Sequence, residues 1–300
     1  MSLRLATRRS PLALIQAQFV QRQLEARGCE SELVLVETRG DRESEASLAT
    51  MGGQGVFTVE IQRALLEDRA DVAVHSAKDL PSSTPEGLAL VSVPSRLDAA
   101  DVLVGRSLAG LGPGATVATG SPRRRALLLE RRPDLQVVGL RGNMATRLDA
   151  AGKNGVDAVV AAMAALERLE QRDVVSERLD PTWFVPQVGQ GALALEARVD
   201  DDATREVLVG LNHEASLRAV TAERSFLLEL GAGCAIPGGA HAVVDDDDDE
   251  LTIRGVMIAP DGSKSVRAEL SGVDATVLGT ALARLLRDEM SGGALLGWGS

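Results

Sequence analysis

The sequence predicts an α/β protein with two lobes and a small C-terminal α+β unit, and three observations support this prediction. Apolar stretches of strand length alternate with amphipathic helical stretches up to about residue 210. A strand that runs into a Ser-Pro helix start occurs at residues 5–11 and again at residues 117–122. The glycine-rich stretch 188–192 precedes another strand, which indicates a hinge where the chain returns to the first lobe.

The composition narrows the class of protein. With 45% hydrophobic residues among 300, the chain can bury sizeable cores. A net charge of -11 and only 2% aromatic residues argue against nucleic acid as a partner. The two cysteines, Cys29 and Cys234, are far apart, which is typical of a reduced cytosolic protein, although a disulfide between them stays open. The three histidines are scattered, so no metal site is expected.

The N-terminal residues predict a cytoplasmic protein. Residues 7–10 superficially resemble a twin-arginine export signal, but glutamines interrupt the apolar stretch from residue 16 onward. No apolar run reaches the length of a membrane span. We therefore expect neither export nor a membrane partner.

The first lobe is predicted to contain a candidate site at a strand end. Its elements are strands at residues 3–7, 32–38, 71–75 and 88–93, and helices at 10–27 and 57–69. Ser10 and Pro11 suit the N-cap and first turn of the first helix. The strand at 71–75 ends at Lys78-Asp79, and open α/β sheets bind ligands at the carboxyl ends of their strands. This pair is a candidate site, and a solvated ion pair is the alternative. The glycine-rich stretch 39–55 is a candidate loop near it, or an ordinary surface loop.

The second lobe is predicted to collect arginines after its strands. Its strands are expected at residues 101–104, 117–119, 136–140 and 156–162. Arginines follow strand ends in both lobes, at Arg8, Arg9, Arg123, Arg124, Arg125, Arg141 and Arg147, and Arg168 lies near the end of the helix that follows the last of these strands. Cations are unfavourable at a helix N-terminus unless a carboxylate or phosphate lies between them and the helix. Because arginine binds carboxylates in a bidentate manner, the pattern predicts a ligand with several carboxylates. Arg125 is expected to point to solvent.

The C-terminal unit is predicted to present a cysteine on a turn. Helices at 201–211 and 214–230 end at Leu230-Gly231-Ala232-Gly233-Cys234-Ala235-Ile236-Pro237. A thiol on such a turn can be reached from a cleft, but a small buried hydrophobe is the alternative. Strands at 240–244, 251–257 and 266–270 and a helix at 275–290 follow, with a tail of limited structure after residue 290. The acidic run 245–250 is expected to be a solvated hairpin loop, because consecutive aspartates lack the spacing of a calcium loop.

Six motifs together resemble the porphobilinogen deaminase (hydroxymethylbilane synthase) family. They are Leu5-Ala6-Thr7-Arg8-Arg9-Ser10-Pro11-Leu12-Ala13-Leu14, Ala73-Val74-His75-Ser76-Ala77-Lys78-Asp79-Leu80-Pro81, Leu140-Arg141-Gly142-Asn143 with Thr146-Arg147-Leu148, Val188-Gly189-Gln190-Gly191-Ala192, Val220-Thr221-Ala222-Glu223-Arg224 and Gly233-Cys234. They run in family order from residue 5 to about 237, and the weaker stretch Ala259-Pro260-Asp261-Gly262-Ser263 extends the match. Each motif alone is weak, whereas the ordered set is specific.

The resemblance implies a three-domain enzyme. Two periplasmic-binding-protein-like lobes would comprise residues 1–94 with 192–210, and residues 97–187, and an α+β domain would comprise 214–300. A dipyrromethane cofactor would be joined to Cys234 through a thioether. Four porphobilinogen molecules would lose ammonia and be added head to tail, and hydrolysis would release hydroxymethylbilane for tetrapyrrole biosynthesis. The family expectation is a cytoplasmic monomer.

The resemblance also implies roles for individual residues. Asp79 would be the catalytic carboxylate, which stabilises the cation formed when ammonia leaves and shuttles protons. The remaining cofactor and substrate contacts would come from Arg8, Ser10, Lys78, Thr119, Ser121, Arg123, Arg124, Arg141, Arg147, Arg168 and Gln190.

Three positions depart from the family pattern. Gln54 and Val59 stand where many relatives have lysine, and Gly120 replaces a frequent serine. Losing two cations would weaken carboxylate contacts or loop closure. Two alternatives therefore stay open beside the enzyme, namely a two-lobed anion-binding protein without catalysis and an inactive relative that binds pyrroles.

Overall fold

The computed structural model describes residues 2–38, 58–231, 236–245 and 249–297. The N-terminal elements are β1 (Ser2–Arg8), α1 (Pro11–Glu25), β2 (Glu30–Val36), α2 (Val59–Leu66), β3 (Val72–Ser76), β4 (Leu88–Ser92), β5 (Asp101–Val104), β6 (Thr116–Ala118), α3 (Pro122–Arg131) and β7 (Gln136–Val138). They are followed by α4 (Met144–Asp149), β8 (Ala158–Ala162), α5 (Met163–Arg168), β9 (Val175–Arg178), β10 (Leu193–Arg198), α6 (Asp202–Val209), α7 (Glu214–Glu229), β11 (Gly238–Val244), β12 (Leu251–Ile258), β13 (Ser265–Gly272), α8 (Ala275–Arg284) and α9 (Gly292–Leu295).

The first lobe is built on a five-stranded sheet of order β2-β1-β3-β10-β4. Strands β1, β2 and β3 are parallel, whereas β10 pairs antiparallel with both β3 and β4. Since β10 comes long after β4 in the chain, the polypeptide leaves this lobe once and returns once. The α/β prediction and the predicted return near residue 192 are confirmed.

The Ser-Pro sequences start helices as predicted. The Oγ of Ser10 accepts a hydrogen bond from the Ala13 N–H at 3.3 Å, and Pro11 occupies the first turn of α1. Gly28, just beyond the helix, has a φ of +76°, in the left-handed region that favours glycine. Ser121 caps α3 in the same way, through the Arg124 N–H at 3.4 Å. The sequence repeat therefore reflects equivalent strand-to-helix turns in the two lobes.

The second lobe has a sheet of order β7-β6-β8-β5-β9. Strand β6 lies parallel to β7 and β8, and β5 lies antiparallel to β8 and β9. Strand β9 was not expected from the sequence. It is a four-residue edge strand whose residues alternate between half-buried and exposed positions, so its apolar signal is weak.

The third unit is the antiparallel sheet β11-β12-β13, packed against α7 and α8. Its core contains Phe226, Ile253 and Leu282. Val256 and Ile258 of β12 belong instead to the core of the second lobe. The third unit is therefore docked on the second lobe through shared apolar packing.

The C-terminal residues contain more structure than the predicted tail. After α8, a π-helical segment spans Leu285–Glu289 and α9 follows. A Cβ placed on Gly292 would lie 2.8 Å from the Val266 Cγ2 and 3.0 Å from the Met257 Sδ, so this segment is held closely against the sheet. Part of the acidic run, residues 246–248, lies outside the described residues. The Asp245 N–H donates to the Glu250 carbonyl at 2.8 Å, which closes the predicted hairpin.

Candidate functional site

The candidate site begins where β3 ends, at the edge of the first sheet. A single 3-10 turn, Ala77–Asp79, follows the strand and places Lys78 and the exposed Asp79 at its carboxyl end. Arg8 is the last residue of β1, the parallel neighbour of β3, and Ser10 follows it, so both occupy the same sheet edge. This is the location at which open α/β sheets bind ligands.

The returning chain segment holds this turn in place. A Cβ on Gly189, whose φ is +73°, would lie 2.9 Å from the Ala77 carbonyl carbon and 3.0 Å from the Lys78 nitrogen. The Gln187 Nε2 donates to the Lys78 carbonyl oxygen at 3.1 Å. The close approach requires glycine at position 189 and fixes the backbone that carries Lys78 and Asp79.

A buried carboxylate lies at the centre of the arginine cluster. Asp101, at the start of β5, is fully buried and accepts bonds from Arg123 Nη2 at 2.7 Å and from Arg124 Nη2 at 2.6 Å and Nε at 3.0 Å. The Gln190 Nε2 also donates to it, at 2.9 Å. Asp101 thus supplies the carboxylate that arginines at this helix start require.

The two arginines also donate hydrogen bonds to backbone carbonyls. Arg123 Nη1 donates to the Val185 oxygen at 2.6 Å, and Arg124 Nη1 donates to the Val160 oxygen at 2.9 Å. Burial alone would raise the pKa of Asp101, but the charges of Arg123 and Arg124 hold that pKa below its usual value. Burial lowers the pKa of Arg123. Arg125, by contrast, is exposed, as expected, although its Nη1 donates to the Val137 oxygen.

Lys78 is joined to this cluster through Gln190. Its Nζ donates to the Gln190 Oε1 at 3.4 Å, and the same oxygen lies 3.5 Å from Arg124 Nη2. Burial, followed by the charge of Arg124, lowers the pKa of Lys78 to about 8, while Asp79 and Asp101 oppose the shift. The half-buried ammonium therefore lies among cations, which favours binding of anions.

Two further predicted arginines border the site. Arg147 Nε donates to the Gly142 oxygen at 2.8 Å, and burial together with the charge of Arg124 lowers its pKa, which Asp79 partly offsets. Arg168 Nη2 donates to the Gly191 oxygen at 2.8 Å, and burial lowers its pKa to about 10. Arg147 is thus coupled electrostatically to both Arg124 and Asp79, across the two lobes.

The predicted hydroxyl and turn residues surround the start of α3. The Thr119 Oγ1 accepts from the Ser121 N–H at 3.2 Å, and Thr119 is buried. Arg141 is exposed on the turn that precedes α4. Gly120 departs from the family pattern for a visible reason, because a Cβ there would lie 2.6 Å from the Leu140 oxygen. Val59 starts α2 with 46% of its surface exposed, and Gln54 lies outside the described residues.

Cys234 also lies outside the described residues, but the residues that flank its loop approach the site. Ile236 lines a small cavity together with Lys78, Gln187 and Arg224. This cavity lies where the first lobe, the returning segment and the third unit meet.

Sequence reasoning missed three charged residues that organise this junction. Glu223 of α7 is fully buried and accepts from Arg96 Nη1 at 2.7 Å, the Gly189 N–H at 2.6 Å and the Ala242 N–H at 2.8 Å. Arg96 also donates through Nε to the Gln190 carbonyl at 2.8 Å. Asp101 is the third. The sequence held one signal for the two acidic residues. Asp101 opens an apolar strand and Glu223 lies on the apolar face of a helix, positions where a carboxylate is rarely buried without a partner.

Two negative findings bound the chemistry of the described residues. Within ranges 2–38, 58–231, 236–245 and 249–297, no group of three or more His, Cys, Asp or Glu side chains could hold a metal ion. In the same part of the chain, no helix combines the length and apolarity that crossing a membrane requires.

The fold and the site define a two-lobed α/β protein with buried and half-buried cations collected at the strand ends and a third unit docked beside them. The model for the porphobilinogen deaminase dipyromethane cofactor binding domain matches residues 3–206, and that for the porphobilinogen deaminase C-terminal domain matches residues 217–288. The chain therefore belongs to the porphobilinogen deaminase family, whose members are transferases of tetrapyrrole biosynthesis with a dipyrromethane cofactor.

Individual relatives agree with this assignment. A porphobilinogen deaminase from Trichlorobacter lovleyi is 45% identical over 291 residues, covering 95% of this chain and 93% of that protein. One from Geobacter sulfurreducens is 44% identical over 293 residues, covering 95% of this chain and 92% of that protein.

Among solved structures, a nutrient-binding protein from Burkholderia cenocepacia bound to methionine matches with a TM-score of 0.43 at 15% identity, covering 69% of this chain and 90% of that one. The two-lobed fold is assigned from the sheets themselves.

Proposed function

We propose that the cleft between the two lobes binds dipyrromethane and porphobilinogen and elongates the pyrrole chain by four units before hydrolytic release of hydroxymethylbilane. The observation that carries this proposal is the concentration of cations beside one exposed carboxylate. Lys78, Arg124 and Arg147 surround the start of α3 and the end of β3, and Asp79 lies next to them. A chain with a net charge of -11 has gathered positive charge at this one strand edge.

The cations fit the cofactor and substrate. Each pyrrole unit carries an acetate and a propionate, so both molecules are polyanions. The pKa values of Lys78, Arg147 and Arg168 are all lowered by burial, and Arg124 contributes to the first two shifts. Bound carboxylates would relieve the repulsion among these cations. Arg8, Ser10, Thr119, Ser121 and Arg141 complete the proposed contacts at the ends of the neighbouring strands.

Arg123 and Gln190 support this site from beneath. Arg123 is almost fully buried between Asp101, the Val185 oxygen and the Phe184 ring, whose centroid is 5.7 Å from its guanidinium carbon. Its contribution to binding therefore runs through Asp101 and the start of α3. Gln190 joins Asp101 to Lys78 and thus orients a cation of the site.

Asp79 is the group proposed to act on the reacting atoms. It is exposed at the strand edge, so a pyrrole N–H can reach its carboxylate. When ammonia leaves porphobilinogen, positive charge spreads over the pyrrole ring and its N–H, and a nearby carboxylate stabilises that charge. The same carboxylate can hold and pass a proton.

The cofactor is proposed to be attached at Cys234. The family resemblance assigns the attachment to Cys234, and the other cysteine of the sequence, Cys29, is buried in the core of the first lobe. The dipyrromethane supplies a growing end that stays bound during elongation. The chain's own residues hold its carboxylates and exclude competing orientations.

The domain boundaries and the cellular setting are part of the same proposal. We assign residues 1–94 with 192–210 to the first lobe, 97–187 to the second lobe and 214–300 to the third domain. The sheets support these limits, since β10 belongs to the first sheet and β11 opens the third. The protein is proposed to be a cytoplasmic monomer.

The deciding experiment measures intact mass and turnover together. The purified protein should carry a mass gain equal to two deaminated porphobilinogen units, and the Cys234→Ser variant should lack it. Asp79→Asn should keep the cofactor and the fold but lose nearly all elongation, because the carboxylate is replaced by a neutral amide. A protein that stays unmodified after incubation with porphobilinogen would overturn the enzyme and favour a two-lobed anion-binding protein. Near-normal turnover by Asp79→Asn would remove this residue from the catalytic role.

A further inference from the structure

We infer that Asp101 is a positioning residue for this site, whose carboxylate, held by Arg123, Arg124 and Gln190, fixes where the Lys78 ammonium lies beside Asp79. The inference rests on the proposed function, because it assigns Asp101 to the same site. Its test does not depend on turnover.

The connection crosses the hinge. Asp101 begins β5 directly after the chain enters the second lobe, Gln190 lies on the segment that returns, and Lys78 belongs to the first lobe. Gln190 donates to Asp101 at 2.9 Å and accepts from Lys78 at 3.4 Å. It is further anchored by its bond to the Ala99 oxygen at 2.7 Å. A continuous hydrogen-bonded path therefore joins a carboxylate of one lobe to an ammonium of the other.

Burial makes the carboxylate influential. Asp101 and Gln190 are both 0% exposed, so their interactions are not screened by water. Arg123 and Arg124 are also buried, and together with Lys78 they place three cations around one carboxylate. Without the charge of Asp101, these cations would repel one another with little solvent between them.

The charged groups that face Lys78 come from four elements. Arg123 and Arg124 belong to α3, Asp101 to β5, Asp79 to the same turn as Lys78, and Arg224 of α7 lines the adjoining cavity. Among them, Asp79 and Asp101 are the two that favour the charged ammonium. Asp79 is exposed, whereas Asp101 is buried and accepts hydrogen bonds from Arg123, Arg124 and Gln190. Asp101 is thus the carboxylate whose position is fixed and whose charge stabilises the Lys78 ammonium.

The composition of this chain allows a direct test. It contains only three lysines, Lys78, Lys153 and Lys264, and the latter two are exposed. In holoenzyme labelled with ¹³C and ¹⁵N at lysine, three side-chain NMR signals can be titrated separately. Replacement of Lys153 and Lys264 by arginine assigns them, and both serve as internal references.

Asp101→Asn keeps the size of the side chain and removes its charge. We expect the midpoint of the Lys78 titration to fall by about 1 unit relative to the unsubstituted protein, which is about a tenfold larger neutral fraction near pH 7. Asp98→Asn is the matched control, because Asp98 lies on the same crossing segment but pairs with Arg178, and it should leave Lys78 unchanged. A Lys78 midpoint that stays at its original value in Asp101→Asn overturns the inference and leaves Asp101 a purely structural role.

A second variant covers the case in which Asp101→Asn does not fold. Gln190→Met preserves every charge but removes the hydrogen bonds that join Asp101 to Lys78. It should also lower the midpoint of the Lys78 titration and increase the mobility of the Lys78 side chain. An unaltered Lys78 signal in this variant contradicts the positioning role. If the unsubstituted holoenzyme fails to convert porphobilinogen, the proposed function is wrong, while the titrations still decide the role of Asp101.

Discussion

Lys78 gives the sharpest prediction because its charge costs stability in the absence of a ligand. Burial lowers its pKa from 10.5 to about 8, a change of about 2.5 units. At about 1.36 kcal/mol per unit, the charged ammonium costs the folded protein about 3 kcal/mol at most. Because Lys78 is half-buried and keeps a bond to Gln190, we discount this to about 1.5 kcal/mol. Lys78→Met should therefore stabilise the cofactor-free protein by about this amount at pH 7.

The pH dependence follows from the direction of the shift. Below pH 8, Lys78 is charged in both the folded and the unfolded protein, and the full cost is present. Between pH 8 and 10.5 the folded protein releases its proton first, so the cost shrinks as pH rises. The advantage of Lys78→Met should thus be largest at pH 7 and should vanish near pH 10.5.

The assay is thermal unfolding at pH 7 and pH 10 in a Cys234→Ser background, which keeps the protein free of cofactor. Lys153→Met is the control and should change stability by less than about 0.5 kcal/mol, because Lys153 is exposed. In the cofactor-loaded protein the sign should reverse, because ligand carboxylates bind the ammonium. If Lys78→Met destabilises the cofactor-free protein at pH 7, the bond to Gln190 outweighs the burial cost and the reasoning fails.

Two further substitutions test how the third domain is attached. Glu223→Gln leaves Arg96 without its buried counter-charge and should lower the free energy of unfolding by about 3 kcal/mol. Glu229→Gln, at the more exposed end of the same helix, should lower it by less than about 1 kcal/mol. Equal losses in the two variants would contradict the role assigned to the buried pair. Gly239→Ala would bring a Cβ within 2.3 Å of the Pro186 carbonyl oxygen and should destabilise the protein by about 1–3 kcal/mol. Gly112→Ala, with open space around it, should not, and equal melting temperatures for the two variants would show that the Gly239 contact yields easily.

The sequence was sufficient for the elements with a strong local signal. Ser10-Pro11 and the serine before α3 set both helix starts, because capping and the fixed φ of proline act within a few residues. Lys78-Asp79 could be placed at a strand end because the preceding strand opens with the apolar run Val72-Ala73-Val74. Strand β9 escaped notice because an edge strand needs neither continuous nor regularly alternating apolar residues.

The charge network could not be read from the sequence in the same way. The arginines in the first turn of α3 indicated a carboxylate partner, and the partner that the structure shows is Asp101, 22 residues before Arg123. Glu223 and Arg96 are 127 residues apart. Such pairings are fixed by how the lobes and the third domain are docked, and no local pattern records that geometry. All the proposed ligand contacts, those of Arg8, Ser10, Arg141 and Cys234 among them, stay predictions.

The seating of the third domain limits how the cleft can work. Val220 of α7 lies in an apolar core with Ala77 and Leu80 of the first lobe, while Val256 and Ile258 of β12 lie in the core of the second. Two lobes joined only by crossing segments can separate freely. Here, wide separation would pull these side chains out of their cores, at a cost of about 1.5–3 kcal/mol for each side chain. The third domain therefore packs against both lobes at once. Separation of the two lobes is therefore opposed by apolar contacts that the third unit makes with each of them.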